Sequence, residues 1–134
     1  MIADQEVTFE QLQEAYIKGQ RVFTKIEIAA KDDHLVISGI NLASAEFVAC
    51  WFHSVKFFEV DLTGVRFIDC NLKCTVFEGC DLTNTLWRDS AVCSIAWREC
   101  TTANIQAVGL EAYGGNLADA QALVSYATDN LKTC

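Results

Sequence analysis

The sequence predicts an all-β solenoid with four-sided coils, and three observations support that prediction. First, from Ile37 to Trp97 every fifth residue is bulky and apolar, over thirteen positions without a break. Second, the residues two places before these centres are small or medium in size, and cysteine serves there as a small hydrophobe. Third, the other positions carry most of the charge, Asn, Gly and Ser. Neither the 3.6-residue period of a helix nor strict alternation produces this pattern.

Each group of five residues is expected to form one side of a coil. Positions two apart lie on the same side of an extended backbone, so the centre and the small residue before it face inward together. The next three residues turn the chain, and successive coils stack by parallel pairing about 4.8 Å apart. The size of the centres repeats every ten residues, with Phe52 as an exception. Four sides therefore fit better than three, because a 15-residue coil would stack Leu on Phe throughout.

At this point the repeat resembles the pentapeptide repeat family, whose pattern is A(D/N)LXX. The matching segments include Ile40–Leu42, Val60–Leu62, Cys70–Leu72 and Cys80–Leu82. The resemblance covers about half of the chain, from residue 35 to about 100, and unbroken registry of this kind is not a chance pattern. It implies a right-handed quadrilateral β-helix of pentapeptide repeats. Cys and Val replace the family's Ala before the centres, which indicates a well-filled core.

A capping helix is expected at the N-terminal end of the solenoid, because a solenoid must cover its open ends. Thr8–Gln11 has the pattern of a capping box, which predicts a helix over residues 8–18 above the first coil. Residues 21–30 alternate as a strand. Phe23 and Ile28 are five apart but out of phase with the later centres, so the polar turn Lys31–His34 is an insertion.

A second helix is expected at the C-terminal end. Beyond Cys100 the phase weakens, Ile105 and Leu110 suggest slippage, and Gly114–Gly115 marks a break. Asn116 can cap a helix that either covers the last coil or pairs with its copy in another chain, and covering is the more economical arrangement. The predicted organisation is one domain over 1–134, with an N-terminal capping segment at 1–20, a solenoid at 21–115 that is regular from 35 to 100, and a C-terminal helix at 116–134.

Composition and charge exclude several classes of protein. The chain has 134 residues, of which 51% are hydrophobic and 21% charged, so it is not intrinsically disordered. Its net charge of −8 disfavours a surface that grips nucleic acid or anionic lipid. It contains neither an apolar run of about 18 residues nor the pattern of a signal peptide. We therefore expect a cytoplasmic protein without direct nucleic-acid binding or membrane association.

The cysteines are the first candidates for chemistry. They number seven, an odd count, and a reducing compartment makes a disulfide framework unexpected. Cys74 and Cys93 fall at outward positions of neighbouring coils, where they form either a redox pair or, preferably, two incidental surface thiols. The other repeat cysteines fall at the small inward position, with no C-x-x-C for zinc. They are Cys50, Cys70, Cys80 and Cys100.

The remaining polar residues do not predict an enzyme. His34 belongs to a polar turn, for which solvation is favoured over an Asp-Asp-His metal or triad fragment. His53 is outward, and the sequence has neither a nucleophile elbow nor a Gly-rich phosphate loop. Asp61 and Asp81 form a ladder with Asn41 that is expected to hydrogen-bond backbone turns. We therefore expect no catalytic residues, no cofactor and no metal.

Outward apolar side chains give a better indication of function, because large apolar groups on a surface suggest contact with a partner. Trp51 and Phe58 are the largest, and the alternative is that the Lys31–His34 insertion or a flanking helix covers them. The candidate interaction surface comprises Val48, Trp51, Phe58, Ile68 and Val76.

The favoured function is a non-enzymatic interaction module that docks an unidentified protein partner on rigid solenoid faces, as a monomer or as a dimer through the C-terminal helix. The family resemblance offers an alternative, an acidic DNA mimic that binds or protects a type II topoisomerase such as DNA gyrase. Residues 37–107 carry eight acidic and five basic residues, a net −3, and the two signs interleave along the chain. About three and a half coils span only about 17 Å, which is short for a duplex mimic. An enzyme that uses the surface thiols is the least favoured function.

Overall fold

A β-solenoid of about five turns forms the body of the protein, with one short helix at each end. The structure is a computed structural model that describes residues 1–28 and 35–129. In chain order the elements are β1 (Glu6–Val7), α1 (Phe9–Ile17), β2 (Val22–Thr24), β3 (Glu27–Ile28), β4 (Leu35–Ser38), β5 (Glu46–Val48), β6 (Val55–Phe58), β7 (Arg66–Ile68), β8 (Val76–Glu78), β9 (Leu86–Arg88), β10 (Ala96–Arg98), β11 (Gln106–Val108), β12 (Leu110–Ala112), β13 (Gly115–Leu117) and α2 (Ala120–Asp129).

The solenoid has four sides, which the chain visits in the same order in every turn. Face A is the outer side of the sheet β2-β5-β7-β9-β11, and face C is the outer side of the sheet β4-β6-β8-β10. Parallel bridges hold the other two sides. Face B contains the column Glu27, Trp51, Asn71, Ala91 and Glu111, and face D contains the column Asn41, Asp61, Asp81 and Thr101.

The pairing register confirms the predicted 20-residue coil. Phe47 lies opposite Phe67, and Phe67 lies opposite Trp87. On the other sheet the rings of Phe57 and Phe77 stack with centroids 4.7 Å apart and planes 3° from parallel. The predicted centres from Ile37 to Trp97 are all buried, so the core is a continuous column of apolar side chains inside the coil.

A left-handed backbone residue makes each corner of the coil. Every fifth residue from Gly39 to Gly114 has φ between +52° and +77°. Gly, Asn, Asp and Ser recur there because glycine has no steric penalty in this region and short polar residues tolerate it better than other types. At Gly109 a Cβ would meet the carboxylate of Asp89 one turn below, so a larger residue at this corner would displace that side chain.

The N-terminal helix is confirmed, but the single strand predicted over residues 21–30 is wrong, because a left-handed corner at Lys25 (φ 53°) divides it into β2 and β3. α1 begins after Thr8, whose hydroxyl and backbone exchange hydrogen bonds with Gln11 in a capping box. Phe23 stacks on Phe47, with centroids 5.3 Å apart. These two residues pair although they are 24 positions apart rather than 20. The difference confirms an insertion in the first turn, and the segment Lys31–His34 itself lies outside the described residues.

At the C-terminal end the expected slippage is wrong. β11 stays in register with β9, and Ala107 lies opposite Trp87. A small residue suffices at Ala107 because α2 fills this end of the core. The helix contacts β10 and β11, and its Leu123 and Ala127 are completely buried. α2 therefore covers the last coil, as the more economical arrangement predicted, and pairing with a second copy stays a prediction.

The predicted start of the second helix is also wrong. Gly115–Leu117 forms β13, which pairs antiparallel with β12, and the turn between them has Tyr113 at φ 53° and Gly114 at φ 77°. Two consecutive positive φ values match the hairpin turn that joins twisted strands. α2 begins after Asp119, whose carboxylate accepts a 2.9 Å hydrogen bond from the Ala122 amide. Neither described helix has the length and hydropathy needed to cross a membrane.

Candidate interaction surfaces

The structure distributes the five predicted surface residues over three faces. Val48 and Ile68 are neighbours on face A, where β5 pairs with β7. Trp51 lies on face B. Phe58 and Val76 lie in β6 and β8 on face C. These residues therefore do not form one patch, because a coil turns a corner every five residues.

Val76 is not an open surface residue, which corrects the expectation for this position. Its exposed fraction is 8%, and Ala96, the next residue along the same column, is fully buried. α2 contacts β10, so the C-terminal helix closes this end of face C. Phe58 is half-buried, and the Lys56 ammonium lies 5.6 Å from its ring centroid.

Trp51 is the largest exposed side chain of the coil. Its exposed fraction is 46%, so neither described helix covers it, and the Lys31–His34 insertion lies outside the described residues. The indole stacks on the imidazole of His53, with ring centroids 5.7 Å apart and planes inclined by 22°. His53 is in turn fixed by a 2.9 Å hydrogen bond between its Nδ1 and the Ser54 hydroxyl. The exposed ring is thus held in one orientation on a rigid scaffold.

Face A carries apolar residues that sequence reasoning missed. Val22 and Val108, at its two ends, each have 51% of their surface exposed, and Leu86 between them is half-buried. The signal was present in the sequence. Once the coil length is known to be 20 residues, the outward columns follow from that spacing. They are Val22, Glu46, Arg66, Leu86 and Gln106, and Thr24, Val48, Ile68, Arg88 and Val108.

The ladder on face D makes the backbone turns that the sequence predicted. The Asp61 carboxylate accepts a 3.0 Å hydrogen bond from the Thr63 amide, and the Asp81 carboxylate accepts one of 2.9 Å from the Thr83 amide. Hydrogen bonds from the Thr83 hydroxyl and amide hold the pKa of Asp81 below its usual range. Asn41 makes the same turn at the start of the ladder.

One face of the coil carries acidic residues without basic ones, whereas both signs meet on the two sheets, where Lys56 pairs with Glu78 and Arg66 with Glu46. Face D carries Asp61 and Asp81, and none of the Lys or Arg side chains of residues 35–129 belongs to it. Glu59 and Glu99 stand at the corner that leads into it. The basic residues lie mainly on the two sheets. Lys56 and Arg98 are on face C, and Arg66 and Arg88 are on face A.

The inward cysteines are core residues that hydrogen-bond to the backbone. Cys70 donates to the Phe47 carbonyl, 3.2 Å away in the turn below, and Cys100 donates to the Phe77 carbonyl at the same distance. Cys50 and Cys80 make the equivalent contacts at 3.3 and 3.4 Å. All four are free thiols, but Cys100 is only half-buried, because it stands in the last complete coil.

Interaction between stacked thiols disfavours ionisation of one thiol in each pair. The hydrogen bond with Cys50 and burial together raise the pKa of the Cys70 thiol far above its usual range. The hydrogen bond with Cys100 and burial do the same for the pKa of Cys80. A thiol acts as a nucleophile through its thiolate, so Cys70 and Cys80 are poor nucleophiles.

The expectation for Cys74 and Cys93 is wrong in both of its forms. Cys93 is a free thiol with an exposed fraction of 8%, and its sulfur accepts a 3.0 Å hydrogen bond from the Tyr113 amide of the C-terminal hairpin. Cys74 is half-buried and disulfide-bonded. The two residues are therefore neither a redox pair with each other nor incidental surface thiols.

A shallow groove of about 300 Å³ follows the corner between faces A and B. Asp69, Asp89 and Lys73 line its walls. The Ser90 hydroxyl beneath them donates to the Arg88 carbonyl at 2.9 Å and accepts from the Cys70 amide at 3.0 Å. Within residues 1–28 and 35–129, no group of three or more His, Cys, Asp or Glu residues could hold a metal ion.

Comparison with known families agrees with this architecture. A family model described as pentapeptide repeats (8 copies) matches residues 61–85, which lie in the regular part of the solenoid. The match identifies pentapeptide repeats in this chain, and its fold is the right-handed quadrilateral β-helix with terminal helices that the resemblance implied. No curated protein matches the chain at a significant level.

Proposed function

We propose that this protein is a non-enzymatic, cytoplasmic interaction module that docks a protein partner on the rigid faces of its solenoid. The observation that carries the proposal is the outward Trp51, 46% exposed and held by its stack on His53. A large aromatic side chain fixed on a rigid surface loses little entropy on binding and can contribute about 2 kcal/mol or more to an interface. The module acts as a monomer or as a dimer through α2.

The chemistry of the coil supports docking over catalysis. The stacked thiols donate to backbone carbonyls inside the core, and ionisation of Cys70 and Cys80 is disfavoured. The carboxylates of Asp61 and Asp81 accept hydrogen bonds from their own turns. These groups form hydrogen bonds that stabilise the scaffold, while the apolar outward side chains remain available to a partner.

Partner capture with two surface variants tests the proposal. One variant carries Trp51→Ser and Phe58→Ser, and the other carries Asn in place of Asp61, Asp69, Asp81 and Asp89. We expect the captured partner to be lost with the first variant and retained with the second. Retention with the first variant and loss with the second would contradict docking through apolar side chains. Circular dichroism on both proteins establishes that each variant is folded.

A second candidate function, the acidic DNA mimic for a type II topoisomerase, has one observation in its favour. The acidic residues of face D stand apart from the basic residues, and Glu59 and Glu99 extend the acidic surface at the neighbouring corner. The face has only four rungs, from Asn41 to Thr101, which at about 4.8 Å per coil span about 14 Å. Loss of partner binding in the Asp→Asn variant alone would favour this function.

A further inference from the structure

One described cysteine is disulfide-bonded, and the cysteine count identifies its partner. Cys74 is the bonded residue, and five others are free thiols. The chain contains seven cysteines, and the seventh is Cys134, which lies outside the described residues. A disulfide within the chain can therefore join Cys74 only to Cys134. The five free thiols are Cys50, Cys70, Cys80, Cys93 and Cys100.

Cys74 stands at the corner between face B and face C, where the chain passes from one side of the coil to the next. Its φ is 61°, and its amide donates a 2.9 Å hydrogen bond to the Cys93 carbonyl of the next turn. Ser94 occupies the same corner one turn further on, with φ 60°. Cys74 is half-buried, so this corner is not sealed inside the coil.

The last turn of α2 lies against this corner. The Tyr126 hydroxyl accepts a 2.9 Å hydrogen bond from the Ser94 amide. Residues 130–134 follow α2, and five residues extend at most about 17 Å. Cys74 is only one coil, about 4.8 Å, from Ser94. Cys134 is therefore within reach of Cys74 while α2 keeps its place.

Outward apolar residues are covered next to this corner and open away from it. One outward column of face C consists of Val36, Lys56, Val76 and Ala96. Val76 and Ala96, the first outward residues after the corner, are 8% and 0% exposed, whereas Val36 at the far end is 43% exposed. α2 contacts β10, which contains Ala96. Val76 lies one strand further, on the path of a segment that runs from α2 to Cys74.

We propose that Cys74 and Cys134 form a reversible disulfide that latches the C-terminal segment over Val76. A low-molecular-weight thiol opens the bond in two exchange steps. The first thiolate attacks one sulfur of the disulfide and releases one cysteine, and a second attacks the resulting mixed disulfide and releases the other. Each released cysteine takes up the proton of an attacking thiol. The products are two cysteine thiols and one small-molecule disulfide, so the two added thiols supply both electrons.

The reversible role follows from the compartment. Cytoplasmic disulfides are rare because the thiol pool keeps cysteines reduced, and those that occur are mostly transient and redox-sensing. This part of the inference rests on the proposed cytoplasmic location, whereas the pairing rests on the cysteine count. Reduction leaves α2 held by its buried Leu123 and Ala127 but frees the residues beyond it, because an untethered chain end opens easily. The reduced form therefore exposes Val76.

Peptide mapping and hydroxyl-radical footprinting of the full chain test the inference. Free thiols are blocked with N-ethylmaleimide before digestion without reductant, and we expect a peptide that joins Cys74 to Cys134 within one chain. An excess of reduced glutathione should remove this peptide, and an excess of oxidised glutathione should restore it. Reduction should raise the footprinting reactivity of Val76 about fivefold, from that of an 8% exposed residue toward that of Val36 at 43%. Val36 itself should not change.

Two variants serve as controls. Cys134→Ser cannot form the bond, so its Val76 should have the reactivity of the reduced protein in every buffer. Cys100→Ser removes a thiol from the same end of the coil and should respond to glutathione as the wild type does. Circular dichroism establishes that both variants are folded.

The other outcomes overturn the inference and are distinct from failure of the proposed docking function. Cys74 recovered as a blocked thiol in oxidising buffer, or linked to a second chain in a dimer that reductant dissociates, contradicts the pairing. A linked peptide that survives an excess of reduced glutathione contradicts reversibility. Unchanged reactivity of Val76 on reduction contradicts the latch. Capture of a partner through Trp51 is measured separately, and none of these results decides it.

Discussion

The indole Nε1 of Trp87 donates a 2.8 Å hydrogen bond to the hydroxyl of Thr85 inside the solenoid core. The same hydroxyl donates to the Leu82 carbonyl at 2.8 Å, so one side chain satisfies two buried polar groups. Trp97 packs on Trp87 with centroids 5.2 Å apart and planes inclined by 46°. It has Ile95 two residues before it in place of a threonine, and among the described residues its Nε1 is the one buried side-chain nitrogen or oxygen without a hydrogen-bond partner.

Thr85→Val should therefore destabilise the protein more than the same change at Thr75, which also lies two residues before a core aromatic residue. The change keeps the volume but leaves the Trp87 Nε1 unpaired, and an unsatisfied buried donor costs about 1–3 kcal/mol. Thr75→Val is the matched control, because the Thr75 hydroxyl donates only to the Leu72 carbonyl and precedes Phe77 rather than a tryptophan. Urea unfolding of both variants gives the difference. Equal free energies of unfolding would contradict the role assigned to the Thr85 hydroxyl.

Phe77→Ala should cost about 3–5 kcal/mol of unfolding free energy, because the removed ring leaves a cavity. Phe77 contacts Phe57 in the turn below, Phe67 and Trp87, and these rings are themselves fixed by their stacks. Phe77→Leu should cost less than half as much, since leucine already fills the centre at Leu72. Thermal or urea unfolding measures both, and a loss below about 1 kcal/mol for the alanine variant would contradict a tightly filled core.

The buried thiols should react slowly with alkylating reagents in the native protein. Cys70 and Cys80 are 3% and 2% exposed, and their raised pKa values keep them protonated at pH 8. Half-buried Cys100 should be modified first among the inward cysteines. Residue-resolved mass spectrometry after iodoacetamide treatment measures the order, with the urea-unfolded protein as the control in which all react quickly. A native disulfide between any two inward cysteines would contradict this account.

The stability contributed by Asp81 should depend on pH in the acidic range. Its pKa in the folded protein is lowered by hydrogen bonds from Thr83, so its contribution is present above the unfolded pKa and is lost as the pH falls through the folded value. At pH 7, Asp81→Ala should cost about 1 kcal/mol, the worth of one turn hydrogen bond. Asp81→Asn should cost little, because Asn41 makes the same turn with the Ala43 amide.

Urea unfolding of the three proteins between pH 7 and pH 2 measures this dependence. The difference between wild type and the Asp81→Asn variant should move in favour of the variant as the pH falls. A difference that is constant over this range would contradict the assigned pKa shift, and a stable Asp81→Ala variant would contradict the importance of the turn.

The core could be predicted from the sequence because each coil depends only on its neighbours. The five-residue period places Phe57 and Leu62 inside the coil independently of the rest of the chain. Burial at the C-terminal end could not be predicted in this way. Val76 and Cys93 lie at outward positions, but their exposure depends on how α2 and the β12–β13 hairpin return to the coil. Those contacts join residues far apart in sequence and leave no periodic signal.

The composition of the surfaces could not be predicted from the linear order of the charges, for a different reason. Along the chain Arg66 and Asp69 are three residues apart, and the two signs interleave. Residues that share a face are 20 positions apart, so Arg66 and Leu86 belong together while Asp69 stands at a corner. The separation of acidic and aliphatic faces becomes visible only when the sequence is written in coils of 20.

The central claim is that the protein acts by docking through apolar side chains and not by imitating DNA. A DNA supercoiling assay tests this claim most directly. Purified protein is titrated into reactions of a type II topoisomerase such as DNA gyrase, with and without a drug that poisons the enzyme. We expect the supercoiling rate and its drug sensitivity to stay unchanged at every protein concentration. Inhibition or protection of supercoiling that disappears in the Asp61, Asp69, Asp81 and Asp89→Asn variant but persists with Trp51→Ser would contradict the claim.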